Sequence, residues 1–291
     1  MNKKVAILTD SNSGITQAES KELGVFVEPM PFYIDGELYY EDIDLTQDEF
    51  YQKLTQGGEI KTSMPITGNL MDTWEKILED YDELVYIPMS SGLSSSCATA
   101  KMLADDYDGR VVVVDNQRIS VTQKMSALEA KKLADIGKSA QEICDALMEI
   151  KSLSTIYITV DTLEYLKKGG RLTPAVAAIG SLLKIKPVLS IYGEKLDKYA
   201  MARTVKAAKQ TMIEALKKDM VDVLKTDNFD EVQISIAHTQ NEEAAIAFRE
   251  ELLKEFPVKD IWIDPLSLSV SCHIGPGALA CTITKKLIDI D

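Results

Sequence analysis

Apolar and polar residues alternate along this chain in blocks of two distinct periods. KVAILTD (4–10), ELVYIPM (83–89) and RVVVVDN (110–116) are short apolar runs that end in polar turns, the pattern of buried strands. Between them, residues 68–80 and 94–106 carry helical spacing, with Leu70, Trp74, Ile77 and Leu78 on one face. Strands alternating with helices of this length predict βαβ units and a parallel sheet. Ligands of such sheets sit outside the carboxyl ends of the strands. Here those ends are Thr9-Asp10-Ser11, Pro88-Met89-Ser90-Ser91 and Asp115-Asn116, all small and polar.

The second half starts near residue 155. STIYITVD reads as a strand, and TLEYLKKGGRL as a short helix closed by Gly169-Gly170. PAVAAIGSLL reads as an apolar helix opened by Pro174. KPVLSIYGEKLDKYAMAR predicts a β-hairpin around Gly193-Glu194, followed by a long amphipathic helix from about 204 to 225. EVQISIAHT, a helix over 241–255 and VKDIWIDP continue the alternation, and a last strand is expected to carry SVSCHIGPGA. The pattern predicts an N-terminal α/β domain over 1–156 and a C-terminal one over 157–291, with a soft boundary.

Composition narrows the function. A net charge of −14 argues against nucleic acid and anionic membrane surfaces as partners. The apolar stretch Val5–Leu8 is too short for a signal peptide, and no apolar run approaches the roughly 20 residues of a membrane span, so a cytoplasmic protein without stable membrane insertion is expected. Cys97, Cys144, Cys272 and Cys281 are scattered without metal-ligand spacing, which predicts free thiols and no metal site.

Several motifs fail on context. Gly137-Lys138-Ser139 resembles the end of a phosphate-binding loop, but Lys132 stands where its first glycine belongs, and a helix-like segment precedes it. Gly275-Pro276-Gly277-Ala278-Leu279-Ala280 matches a dinucleotide fingerprint, yet eleven residues remain after it, too few for a βαβ unit. No G-x-S-x-G nucleophile elbow occurs.

Three stretches keep their interest. In KTSMP (61–65), Thr62 and Ser63 precede a proline; they read either as helix capping or as ligand groups. MSSGLSSSC (89–97) sets five serines around one glycine at a strand-to-helix turn, which fits capping or an anion site. In SCHIGPGAL, His273 sits beside Gly275 and Gly277, where backbone approaches closely, and its imidazole can hydrogen-bond a carboxylate or, protonated, pair with one. Core packing is the other reading of that histidine. His238, in IAHTQ, has the same chemistry without the serine or glycine cluster.

Taken together, ILTDSNSGI, KTSMP, SSGLSSS, DTLEYLKKGGR and SCHIGPGAL, in this order, resemble the DegV family of bacterial fatty-acid-binding proteins. PMPFYIDGELYYEDIDL (29–45) fits the segment that follows the first helix, so the likeness covers nearly the whole chain. The resemblance implies a two-domain α/β fold: a mainly parallel N-terminal sheet flanked by helices, and a C-terminal α/β domain with a mixed sheet. It implies one long-chain fatty acid between the domains, its tail in an apolar tunnel and its carboxylate held by Thr62 and Ser94 with His273 close by. Ser63, Ser95 and Gly275, which border those positions, are additional ligand-site candidates. Some members present the lipid to a separate kinase subunit that makes an acyl phosphate; Arg203 and Arg171 are the positions here for such a partner contact. No catalytic residue, no cofactor and a monomer are expected. Met64 and Ser95 depart from the family's usual Gln and Gly, which puts the pocket mouth in question.

The physical requirements agree with a lipid carrier. A buried carboxylate needs several converging donors. A tail gains roughly 0.8 kcal/mol per buried CH₂, so sixteen carbons contribute on the order of 10 kcal/mol before ordering losses. Apolar segments such as PAVAAIGSLLKIKPVLSI serve equally as tunnel lining or plain core. Two other classes stay open at this point: an esterase or thioesterase using a serine of 90–96 with His273, and a binding protein for another acidic small molecule.

Overall fold

A computed structural model of the chain describes residues 3–171, 173–177, 185–193 and 195–289. These residues form two compact units. The first takes the described residues within 1–151, 267–269 and 287–291; the second takes those within 152–266 and 270–286.

The first unit is built on four parallel strands, β1 (Val5–Asp10), β2 (Phe26–Glu28), β6 (Glu83–Ile87) and β7 (Val111–Val113), in the order β2-β1-β6-β7. The remaining strands of this unit are β3 (Pro31–Ile34), β4 (Glu37–Tyr40) and β5 (Ile60–Thr62), which form a separate antiparallel sheet in the order β4-β3-β5. Side chains alternate along β1, so the parallel sheet has two apolar faces to cover. Ala6 and Leu8 pack with Leu70, Trp74 and Ile77 of the helix Thr67–Leu78 and Ala100 of the helix Ser96–Ala104. Val5 and Ile7 pack instead with Ala127 and Ala130 of the helix Val121–Asp135 and Ile143 and Leu147 of the helix Ala140–Glu149. The antiparallel sheet arises from a signal the hydrophobic pattern hides: Asp35 and Gly36 both take positive φ, 52° and 89°, and fold PFYI onto ELYY as a two-residue hairpin. The rejected phosphate-loop look-alike is a helix start, for Ser139 caps Ala140–Glu149 in a reciprocal capping box with Glu142.

The second unit carries β8 (Ser154–Thr159), β9 (Lys186–Ile191), β10 (Leu196–Ala202), β11 (Val232–His238), β12 (Ile261–Pro265) and β13 (Leu279–Lys285). Their order is β10-β9-β8-β13-β11-β12, and only β11 and β12 run parallel, so the sheet is mixed as expected. The core of this unit joins Ile234, Ile236 and Ile283 of the sheet to Met212 and Leu216 of the helix Val205–Asp222 and Phe248 and Leu252 of the helix Glu242–Glu255. The predicted hairpin is β9-β10; Glu194 of its turn lies outside the described residues. The apolar helix begins at Pro174 and is described to Ala177, while 178–184 lie outside the described residues.

One expectation fails. SVSCHI does not form a strand; it belongs to the helix Leu268–Ile274, and the last strand begins only at Leu279. Leu268, Val270, Cys272 and Ile274 alternate with polar residues in strand fashion, but the intervening serines find buried partners. Ser269 Oγ donates to Asn12 Oδ1 at 2.7 Å and Ser271 Oγ to Leu266 O at 3.2 Å. With those hydroxyls hydrogen-bonded inside the protein, the polar positions need no solvent-facing side of a strand. Gly275, at φ 78°, stops the helix, and its N–H donates to Ser271 O at 2.7 Å.

Candidate functional site

In the first unit, the loops at the carboxyl ends of the parallel strands are tied together by Asp10. Its Oδ1 accepts from Asn12 N at 3.0 Å, Asn12 Nδ2 at 2.9 Å and Gln123 Nε2 at 2.9 Å, and its Oδ2 accepts from Met89 N at 2.9 Å. Burial pushes the Asp10 carboxyl up, and these four donors pull it back. Asp115 Oδ1 likewise accepts from Ser91 N at 3.3 Å. The polar strand ends are therefore a scaffold for the serine loop.

Beside this scaffold lies a second buried carboxyl that the sequence pattern did not single out. Glu41, 5 % exposed, accepts hydrogen bonds from Ser11 Oγ at 2.7 Å, from Ser269 Oγ at 3.3 Å and from Leu268 N. Burial pushes it up to about 7, with the negative charge of Asp10 adding to the shift. Ser267 and Ser269 both reach Asn12 Oδ1, at 3.3 and 2.7 Å. The short segment 267–269 is thereby fastened to ILTDSNSG at the far end of the sequence.

Thr62 ends β5, paired with Phe32, and is half-buried like Ser63. Neither caps the following helix: its N-cap is Ile66, which makes no side-chain cap bond. Ser94 precedes the helix Ser96–Ala104, and its Oγ accepts from Ser96 N at 3.2 Å, so the hydroxyl proton remains available as a donor. The two stretches meet through Met64, whose sulfur lies 3.5 Å from Thr99 Oγ1 and 3.9 Å from Ser95 Oγ. The two departures from the family pattern thus touch each other.

In the second unit His273 occupies the last turn of its helix and is packed onto backbone. A side chain carbon built at Gly169 would come within 3.1 Å of His273 Nδ1, Cε1 and Cγ, so only glycine lets the imidazole lie there. Gly275 stands in the same relation to the Tyr165 ring, and Gly277 to the Asp161 carboxylate. Asp161 in turn pairs with Lys186 at 2.6 Å. DTLEYLKKGGR and SCHIGPGAL are therefore fitted glycine against side chain. Arg171 is exposed and donates from Nη1 to Gly169 O at 2.6 Å. Burial first, and the nearby Arg171 guanidinium second, hold the His273 imidazole down to about 4. His273 is thus a neutral hydrogen-bonding group at pH 7, not a cation. Arg203 is exposed at the end of β10, flanked by exposed Tyr199, Met201 and Val205. His238 accepts a hydrogen bond at Nδ1 from Asn241 N at 3.2 Å, a local structural role.

A family model described as an uncharacterised protein of the DegV family matches residues 4–286. The chain belongs to the DegV family. A DegV domain-containing protein of Listeria innocua is 30 % identical over 289 residues, covering 98 % of this chain and all of the relative. A solved DegV family structure from Thermus thermophilus, described by its fatty acid binding, superposes with a TM-score of 0.88 at 28 % identity and covers 97 % of this chain and 99 % of its own. DegV of Bacillus subtilis, described as a fatty acid binding protein, gives 0.85 at 29 % identity, covering 98 % and 100 %. The four cysteines carry free thiols, and no helix among the described residues is long and apolar enough to cross a membrane.

Proposed function

We propose that this DegV family protein binds one long-chain fatty acid without chemically transforming it. Thr62, Ser94 and His273 are the carboxylate ligands in this reading, with Ser63, Ser95 and Gly275 bordering them and the tail in an apolar tunnel. The observation that carries it is the imidazole of His273, pressed onto Gly169 with the Arg171 guanidinium beside it. Burial favours the neutral ring, and a neutral imidazole carries one N–H suited to donate to a carboxylate. The full-length likeness to two structures described as fatty acid binding supports the same ligand class. Presentation of the bound acid to a separate kinase subunit, with Arg203 and Arg171 as contacts, completes the proposal.

Native mass spectrometry of the purified protein, followed by lipid analysis after denaturation, tests it. The expected result is a bound C14 to C18 fatty acid, lost or weakened on the order of tenfold or more in Thr62→Ala, Ser94→Ala and His273→Ala. An empty protein that takes up neither palmitate nor oleate, or one that hydrolyses acyl esters by way of His273, overturns it.

A further inference from the structure

The segment Ile236–Asn241 has no part in the function proposed above, yet it grips the turn that follows His273. Thr239 is wholly buried and makes four hydrogen bonds to that turn. Its Oγ1 donates to Gly275 O at 2.6 Å and accepts from Ala278 N at 2.9 Å. Its backbone N donates to Ala278 O at 3.2 Å, and its carbonyl accepts from Gly277 N at 2.7 Å. Asn241 adds a bond from Nδ2 to Gly277 O at 3.0 Å. One hydroxyl thus bridges both ends of a turn whose glycines sit at φ 78° and 86°. Such glycines have no side chain to restrict them, so the turn keeps one shape only where its neighbours impose it.

We propose that Thr239 is a positioning residue for His273: by clamping Gly275–Ala278 it fixes the last turn of the helix and the seat of the imidazole on Gly169. This rests on the reading of His273 as a carboxylate ligand. The hydroxyl spends its donor on Gly275 O and accepts from Ala278 N, so its effect on a ligand runs through the turn. Among the described residues, the charged and titratable groups near the turn include Arg171, Tyr165, Asp161 with its partner Lys186, and His238, which pairs with Leu279 at the end of the turn.

The test uses the full chain with Thr239→Val, which keeps the shape and removes the hydroxyl, and Thr239→Ser, which keeps the hydroxyl. Affinities are measured for palmitate and for hexadecanol, which has the same tail and no carboxylate. Thr239→Val is expected to weaken palmitate about tenfold and hexadecanol less than about twofold, while Thr239→Ser stays within about twofold of the parent for both. In a His273→Ala background Thr239→Val should add no further loss. Equal losses for the two ligands, or a loss that persists in that background, overturn the proposal. A second readout needs no ligand: the NMR titration of the His273 ring should move toward the ordinary value of about 6.5 in Thr239→Val and return in Thr239→Ser. An unmoved titration overturns the proposal whatever palmitate does. Failure of the parent to bind palmitate overturns the function above and leaves the titration to decide this one.

Discussion

Two titratable groups, buried Glu41 in the first unit and half-buried His273 in the second, are held by opposite means. Glu41 in the first unit is surrounded by donors: two serine hydroxyls and a backbone N–H converge on its oxygens. His273 in the second unit is seated against Gly169 with the Arg171 guanidinium nearby. Glu41 fastens one part of the chain to another and has its hydrogen bonds met from within the unit. His273 is placed by glycine clearance and by a turn gripped from the other side. The contrast lies in what fixes each group: Glu41 is held by hydrogen bonds from distant segments of the chain, His273 by the clearance that a glycine leaves beside its ring.

The largest effect should come from breaking the clearance. Gly275 combines a left-handed φ of 78° with a Tyr165 ring that leaves no room for a side chain carbon. Gly170 has a similar φ of 68° and nothing within 4 Å. Gly275→Ala should therefore cost about 3 kcal/mol, strain plus crowding, against about 1 kcal/mol for Gly170→Ala, strain alone. Urea midpoints of the two variants check this; equal losses would mean that the Tyr165 ring yields and that crowding does not hold the turn.

Next in size is a pair of opposed pH dependences. Folding raises Glu41 from 4.5 to about 7, so within that window the native state keeps a proton the unfolded chain has released, and this group's contribution falls as pH rises. Folding lowers His273 from 6.5 to about 4, so there the unfolded chain holds the extra proton, and the contribution rises with pH. Each amounts to about 2 kcal/mol, taken below the full shift for relaxation and partial exposure. In the parent the two slopes oppose each other. The stability of Glu41→Gln relative to the parent should climb between pH 4.5 and 7, whereas that of His273→Asn should fall between pH 4 and 6.5. Chemical denaturation at several pH values reads both, and parallel curves would refute the contrast.

The sheet architecture was open to a reading of periodicity because a parallel sheet covered on both faces leaves its strands as unbroken apolar runs, such as VAIL and LVYI. The antiparallel β3-β4-β5 sheet escaped because its strands are only three or four residues long and β4 and β5 are partly exposed, although Asp35-Gly36 is a hairpin signal in its own right. SVSCHI misled because alternation tracks which residues are apolar, whereas the buried serines had bonding partners that only the folded chain supplies. The same limit hid Glu41 and Thr239. The Glu41–Leu268 bond joins residues 227 apart in sequence, and the Thr239–Ala278 bond residues 39 apart. Thr62, Ser94 and His273 stood out through their motifs, and so did Gly169 and Arg171 beside the ring; Thr239, which grips the following turn, carries no local pattern.

The smallest effect is expected where the first unit leaves side chains soft. Met64 is 38 % exposed, and its sulfur takes only long contacts from Ser95 and Thr99, at 3.9 and 3.5 Å. A thioether is a weak acceptor on a flexible stem, so it adapts instead of fixing its neighbours. Met64→Gln offers a better acceptor to the same hydroxyls but must desolvate and order a polar amide of similar length, and the two changes nearly cancel. The expected shift in stability is within about 0.5 kcal/mol, and Ser95→Gly should couple to it by no more than about that amount in a double-mutant cycle. If these exposed contacts instead couple by 1 kcal/mol or more, then the serine loop is held as firmly as the glycine turn, and the two units differ less in how they position side chains than their geometry implies.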